Sequence, residues 1–164
     1  MNKYLLDANT FIEAKNRYYS MSICPGYWHW LERANQMQQL ESIDFVAEEL
    51  KSGNDELAKW TKDNPQLFVS CDDIATQGAY ALVINFIMEL KQFQSNVKDE
   101  FLRGADPWLV AKAKATNGIL VTHEKYNPDI KRKILIPNLC KQLNVQYLNT
   151  FELLERLQAC FVLE

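Results

Sequence analysis

The chain has 164 residues, 48% of them hydrophobic and 24% charged, with Lys+Arg 18 against Asp+Glu 21 and a formal net charge of −3. That apolar content supports a sizeable core in one domain spanning 1–164, and the mild acidity excludes a general nucleic-acid coat, so any polyanion must meet a local basic patch. Cys24, Cys71, Cys140 and Cys160 contain no C-x-x-C pair and there are two histidines, which argues against a disulfide framework and against a zinc site.

In chain order, residues 3–6 read as a buried strand that ends on Asp7. Residues 8–18 predict a helix, broken at "CPGYWHW", and a second helix starts near Gly26 and reaches about Gln39. "DFVAEELKS" (44–52) predicts a short helix, and Asn54 is placed to cap another, "DELAKWTKD". "LFVSCD" (67–72) predicts a strand, after which Asp72 or Asp73 opens a long apolar helix to about Gln92. In "ADPWLVAKAKATNG", Asp106 reads as an N-cap, Pro107 as the first helical residue and Gly118 as the stop. "ILVTHE" (119–124) predicts a strand, "IPNLCKQL" a helix, "VQYLN" a last strand and "TFELLERLQACF" a helix capped by Thr150. The longest apolar run, "AYALVINFIMEL" (79–90), carries Asn85 and is too short to cross a membrane. With no signal core at the N-terminus, a cytoplasmic protein with no membrane partner is expected.

Strands with continuous apolar cores, separated by helices, predict a three-layer α/β/α sandwich around a mostly parallel sheet. In such a sheet the carboxyl ends of the strands and the N-termini of the following helices share one edge, where ligands bind. Asp7, Asp106 and Glu124 all fall on that edge, and Glu49 joins them if its helix packs across the first strand. Clustered carboxylates repel one another, and a divalent cation relieves the repulsion. An all-oxygen acidic site suits Mg²⁺ or Mn²⁺ rather than zinc.

"LLDAN", "AEEL" and "ADPWLVAKAKATNGILVTHE", with the spacing between them, resemble the PIN domain superfamily over nearly the whole chain. The block from Asp106 to Glu124 is the most specific part of the likeness. The tail "KILIPNLCKQLNVQYLNTFELL" resembles a prokaryotic PIN-like subfamily of unknown function. The resemblance implies Asp7, Glu49, Asp106 and Glu124 as catalytic and metal-binding residues. It further implies a Mg²⁺- or Mn²⁺-dependent endoribonuclease acting on single-stranded RNA, the toxin of a VapC-like pair with an antitoxin protein, and a habit of homodimer formation. Two positions depart from the family pattern: Glu124 stands where most members have Asp, and Asn9 where Ser or Thr is common.

Each acid also has a plainer reading. Asp106 and Asp7 could be helix caps, Glu124 a solvated loop acid, and helical register alone divides Glu48 from Glu49. Asn9 and Thr122 could support a site acid by hydrogen bonding or could close turns. Lys125, Lys131, Arg132 and Lys133 follow Glu124 closely and are candidates for phosphate contacts, or form a solvated basic loop. Tyr27, Trp28 and Trp30, and the 79–90 helix, could stack bases or meet a partner, or belong to the core. Two other functions stay open: a PIN-like module that binds RNA or protein without cleaving, and a haloacid-dehalogenase-like phosphotransferase using Asp7, which would ordinarily want an Asp where Asn9 stands.

Overall fold

The computed structural model describes residues 2–163. Five short strands form one sheet: β1 (Tyr4–Leu6), β2 (Leu40–Ile43), β3 (Phe68–Val69), β4 (Ile119–Val121) and β5 (Gln146–Leu148). Every pairing is parallel, and the order across the sheet is β3-β2-β1-β4-β5. The α-helices are α1 (Ala8–Glu13), α2 (Pro25–Gln36), α3 (Asp44–Lys51), α4 (Glu56–Asp63), α5 (Ile74–Glu89), α6 (Ser95–Arg103), α7 (Asp106–Thr116), α8 (Ile136–Leu143) and α9 (Thr150–Arg156). The three-layer α/β/α architecture around a parallel sheet expected from the sequence is the one observed.

A parallel sheet needs a crossover between each pair of neighbouring strands and is covered on both faces. That is why β1 and β4 carry apolar side chains on both faces: Leu5, Leu6, Leu120 and Val121 are fully buried. Helix α7 packs on α5, α6 and α8, while α3 packs on α4 and α1. Gly118 lets β4 come close behind β1, since a Cβ there would lie 2.8 Å from Leu5 Cδ1 and 3.2 Å from the Lys3 carbonyl oxygen. Among the described residues no helix is long and apolar enough to cross a membrane.

Several elements differ from the sequence reading. Strand β2 was not anticipated, because "LESI" carries Glu41 and Ser42. Both are nonetheless buried and satisfied: Glu41 pairs with Lys3 at 3.0 Å, and the Ser42 hydroxyl donates to the Leu6 carbonyl at 2.6 Å. Helix α6 was also missed, since its polar sequence buries only Phe101. The 8–18 helix changes form partway, α1 giving way to a π turn over Ala14–Tyr18. The caps of α4 and α9 are Asp55 and Asn149, each one residue from the position expected at Asn54 and Thr150. Tyr27 and Trp28 are core residues rather than an aromatic surface, with Tyr19 stacked on Tyr27 at 4.5 Å. Helix α5 does expose apolar side chains, Ile74, Leu82 and Met88.

Candidate functional site

The strand order reverses between β1 and β4, so a crevice opens at their carboxyl ends. The register brings those ends level, with Leu6 opposite Val121. Asp7 and Thr122 are therefore neighbours as each chain leaves the sheet, and the Asp7 N–H donates to the Val121 carbonyl at 3.0 Å.

Asp7 is 2% exposed. It occupies the N-cap position of α1, yet its side chain makes no capping hydrogen bond. Its carboxylate instead accepts from the Thr122 hydroxyl, Oγ1 to Oδ2 3.0 Å. The same hydroxyl oxygen accepts the Glu124 N–H at 3.1 Å, so Thr122 ties the first acid to the loop that carries the last. Asp106 is not the cap of its helix either. Ala105 holds that position, Asp106 is the first helical residue, and its side chain makes no cap bond. Asp7 thus holds the N-cap position without a side-chain cap bond, and the reading of Asp106 as an N-cap is corrected to Ala105.

Register on α3 is settled by contacts. Glu49 Oε1 accepts the Ala105 N–H at 3.0 Å, which pins the end of α3 to the start of α7 beside Asp106. Glu48 points to solvent and pairs with Lys51 at 3.2 Å. Glu124 is the odd member. Both of its carboxylate oxygens are buried and lack a hydrogen-bond partner among the described residues. The nearest cation, Lys133, stands 3.7 Å from Oε2, an ion-pair distance beyond hydrogen-bond reach.

The acids feel one another. Burial pushes the Asp7 carboxyl well up from its usual range, and the charge of Glu124 adds to this. The Thr122 hydroxyl and the nearby N–H groups of Asn9 and Ala8 pull the other way. Asp106 is raised by burial and then by Asp7 and Glu49, with Lys133 opposing. Glu124 is pushed up to about 7 by burial, Lys133 opposing and Asp106 adding. The field therefore links Asp7, Glu49, Asp106 and Glu124 pair by pair.

A cleft of about 350 Å³ is lined by Asp7, Glu49 and Asp106 together with Arg132 and Lys133. Glu100 of α6 also lines it and was not foreseen. Its signal was faint: an acid between Val97 and Phe101 in a segment not read as helix. Glu124 and Lys125 line an adjoining cleft, and Asn9 lines both. Lys131 lines neither; of the four basic candidates, Arg132 and Lys133 share a cleft with Asp7, Glu49 and Asp106, and Lys125 shares one with Glu124. The Asn9 side chain lines the cleft without a hydrogen bond to any of the acids among the described residues, while the Thr122 hydroxyl donates to Asp7.

The donor set is wholly carboxylate oxygen, the chemistry of a Mg²⁺ or Mn²⁺ site. As they stand, no three His, Cys, Asp or Glu side chains among the described residues converge closely enough to hold an ion by themselves. Mg²⁺ needs less than that: one or two carboxylates suffice, with water completing the shell. Asp7 and Asp106 meet this requirement, and the partnerless Glu124 oxygens can accept from such waters. The residues fit a hydrated divalent cation.

No curated protein matches the sequence. Among solved structures, a chain in the crystal structure of VapBC2 from Rickettsia felis, bound to a DNA fragment from their promoter, is similar to this one with a TM-score of 0.51. The match is 16% identical and covers 89% of this chain and 97% of that chain. At that identity the likeness is one of fold, and it agrees with the α/β/α architecture described above. Over residues 4–161 the sequence matches the family described as "Domain of unknown function (DUF4411)", and the chain belongs to that family.

Proposed function

We propose that this chain is a divalent-metal-dependent endoribonuclease that cleaves single-stranded RNA, and that it is the toxin of a toxin–antitoxin pair. One observation carries the nuclease reading. Asp7 and Asp106 are drawn together without capping a helix, beside a buried Glu124 that has no hydrogen-bond partner. Burying charges of one sign in this way costs stability, and a bound cation offsets that cost. The toxin reading draws on the fold shared with a chain of the VapBC2 complex. Exposed Ile74, Leu82 and Met88 along α5 give an antitoxin, or a second copy of the chain, an apolar surface to cover.

Asp7 and Asp106 would hold Mg²⁺ or Mn²⁺, whose chemistry when bound is to neutralise phosphate charge and to make water more acidic. The chain's own groups do the rest. Thr122 fixes the Asp7 carboxylate through Oδ2. Ala105 fixes Glu49 through Oε1, leaving Oε2 to orient the attacking water and take its proton. Arg132 and Lys133, lining the same cleft, hold the scissile phosphate. The water oxygen bonds to phosphorus, the P–O bond opposite breaks, and the departing oxygen takes a proton from solvent. The partnerless Glu124 carboxylate would hold its place near the ion by accepting from bound water.

The test is a panel of single-stranded RNAs incubated with the purified protein, with Mn²⁺, with Mg²⁺ and with a chelator. Cleavage that appears with the ion and stops with the chelator supports the reading. RNA binding without cleavage under every ion condition would favour the non-catalytic module.

A further inference from the structure

The adjoining cleft, about 580 Å³, lies on the other side of Asn9 from Arg132 and Lys133. We propose that this cleft is a nucleobase pocket: Tyr18, His123 and Phe151 stack an unpaired base of the RNA strand, and Asn9 and Asn149 read its edge. The proposal rests on the ribonuclease reading above and adds to it where the strand lies and what grips it.

Three separate elements bring the rings together. Tyr18 ends the π turn after α1, where the Tyr19 N–H reaches back to the Ala14 carbonyl at 2.7 Å and widens the helix. His123 sits in the loop just past β4, and Phe151 is in the first turn of α9. Tyr18 and Phe151 meet edge to face at 5.2 Å, and His123 lies 6.1 Å from one ring and 6.0 Å from the other. The Thr150 hydroxyl holds the imidazole at Nε2, 3.0 Å away. Core aromatics would be covered, but Tyr18 is 50% and Phe151 46% exposed. Grouped, exposed rings beside a polar cleft are the pattern by which single-stranded RNA is held, each base lying on a ring.

The polar lining suits a base edge. Asn149 Oδ1 accepts the Glu152 N–H at 2.9 Å, so its Nδ2 remains free to donate among the described residues. The Asn9 amide makes no side-chain hydrogen bond to a described residue and faces both clefts. A carboxamide offers one donor and one acceptor side by side, matching the edge of an unpaired base. Lys125 at the same cleft is available to the next phosphate. Of the two acids there, the Glu124 carboxylate oxygens are buried and Glu13 is paired with Arg17 at 3.3 Å. A strand whose phosphate rests between Asp106 and Lys133 thus passes Asn9 and sets its neighbouring base among the three rings.

The experiment uses fluorescein-labelled oligouridylate, with Ca²⁺ in place of Mn²⁺ so that binding is read without cleavage, and a set of probes each lacking one base. The parent should lose affinity at one abasic position next to the cut, by about tenfold. Tyr18→Ala and Phe151→Ala should weaken the intact probe by the same factor and abolish that position's abasic penalty. Both residues are exposed, and thermal melts of the variants should match the parent. Unchanged affinity and an unchanged abasic profile in both variants would overturn the pocket, and parental Mn²⁺-dependent cleavage would then stand alone. A position-specific penalty in a parent that never cleaves would support the pocket and sink the nuclease. A parent that neither binds nor cleaves would overturn both. Variants that bind RNA normally but fail to associate with a second copy would assign the face to protein and overturn the proposal.

Discussion

The Thr122 hydroxyl donates to Asp7 Oδ2 at 3.0 Å, joining residues 115 apart in sequence at the point where β1 and β4 leave the sheet. Among the described residues it is the one side-chain hydrogen bond to the Asp7 carboxylate, and it holds that group's orientation in a buried setting. Thr122→Val keeps the shape and removes the donor. A hydrogen bond to a charged group is worth about 1.5 kcal/mol, so Mn²⁺ affinity should fall about tenfold by calorimetric titration. Thr122→Ser should restore it.

The raised acids fix the sign of a pH effect. Asp7 and Asp106 move from 3.8, and Glu124 from 4.5, to about 7. In the metal-free protein the folded state then keeps protons that the unfolded chain releases between pH 4 and 7. Stability from these groups is fully present below the unfolded values and is lost as pH rises through the folded ones. Melts in chelator should therefore show a lower midpoint at pH 8 than at pH 5. Asp106→Asn should flatten the slope, and added Mn²⁺ should raise the midpoint mainly at the higher pH.

Adjacent glutamates should behave unlike each other. Glu49→Gln keeps an acceptor for the Ala105 N–H but removes the proton acceptor, so cleavage should drop about a hundredfold with little change in stability. Glu48→Gln loses only an exposed pair with Lys51 and should leave rate unchanged and stability within about 0.5 kcal/mol. Equal effects at both positions would mean that the α3 register has no bearing on the chemistry.

Gly118→Ala should destabilise the fold. The added methyl would press on Leu5, which has no exposed surface, and on the Lys3 carbonyl. Overpacking of this kind costs about 1–3 kcal/mol, read as a lower urea midpoint with an unchanged slope. Loss of cleavage in proportion to loss of folded protein would place the effect in the β1–β4 pairing and not in the acids.

What the sequence revealed follows from physical pattern. Continuous apolar strands and the Asp-Pro start of α7 are local signals, and both were legible. Strand β2 was not, because its buried Glu41 and Ser42 depend on Lys3 and Leu6, distant partners that no local window shows. Asp106 imitates a cap because Pro follows it, but the chain enters the helix one residue earlier, at Ala105. The choice of Glu49 over Glu48 came from helical register and the resemblance, and the contact behind it, the Ala105 N–H met across 56 residues, lies outside any local window. The basic loop was visible as composition, whereas its division, with Arg132 and Lys133 toward the acids and Lys131 away, is set by the path of the loop.

The central claim is that Asp7 and Asp106 hold a cation for RNA cleavage and are not structural caps. The direct measurement is the Mn²⁺-dependent cleavage rate of single-stranded RNA by the parent, Asp7→Asn and Asp106→Asn, with a melt of each in chelator. Each swap preserves shape and removes one charge, so cleavage should be lost by about a hundredfold or more while the metal-free melts stay level or rise. Variants that cut as fast as the parent would contradict the claim.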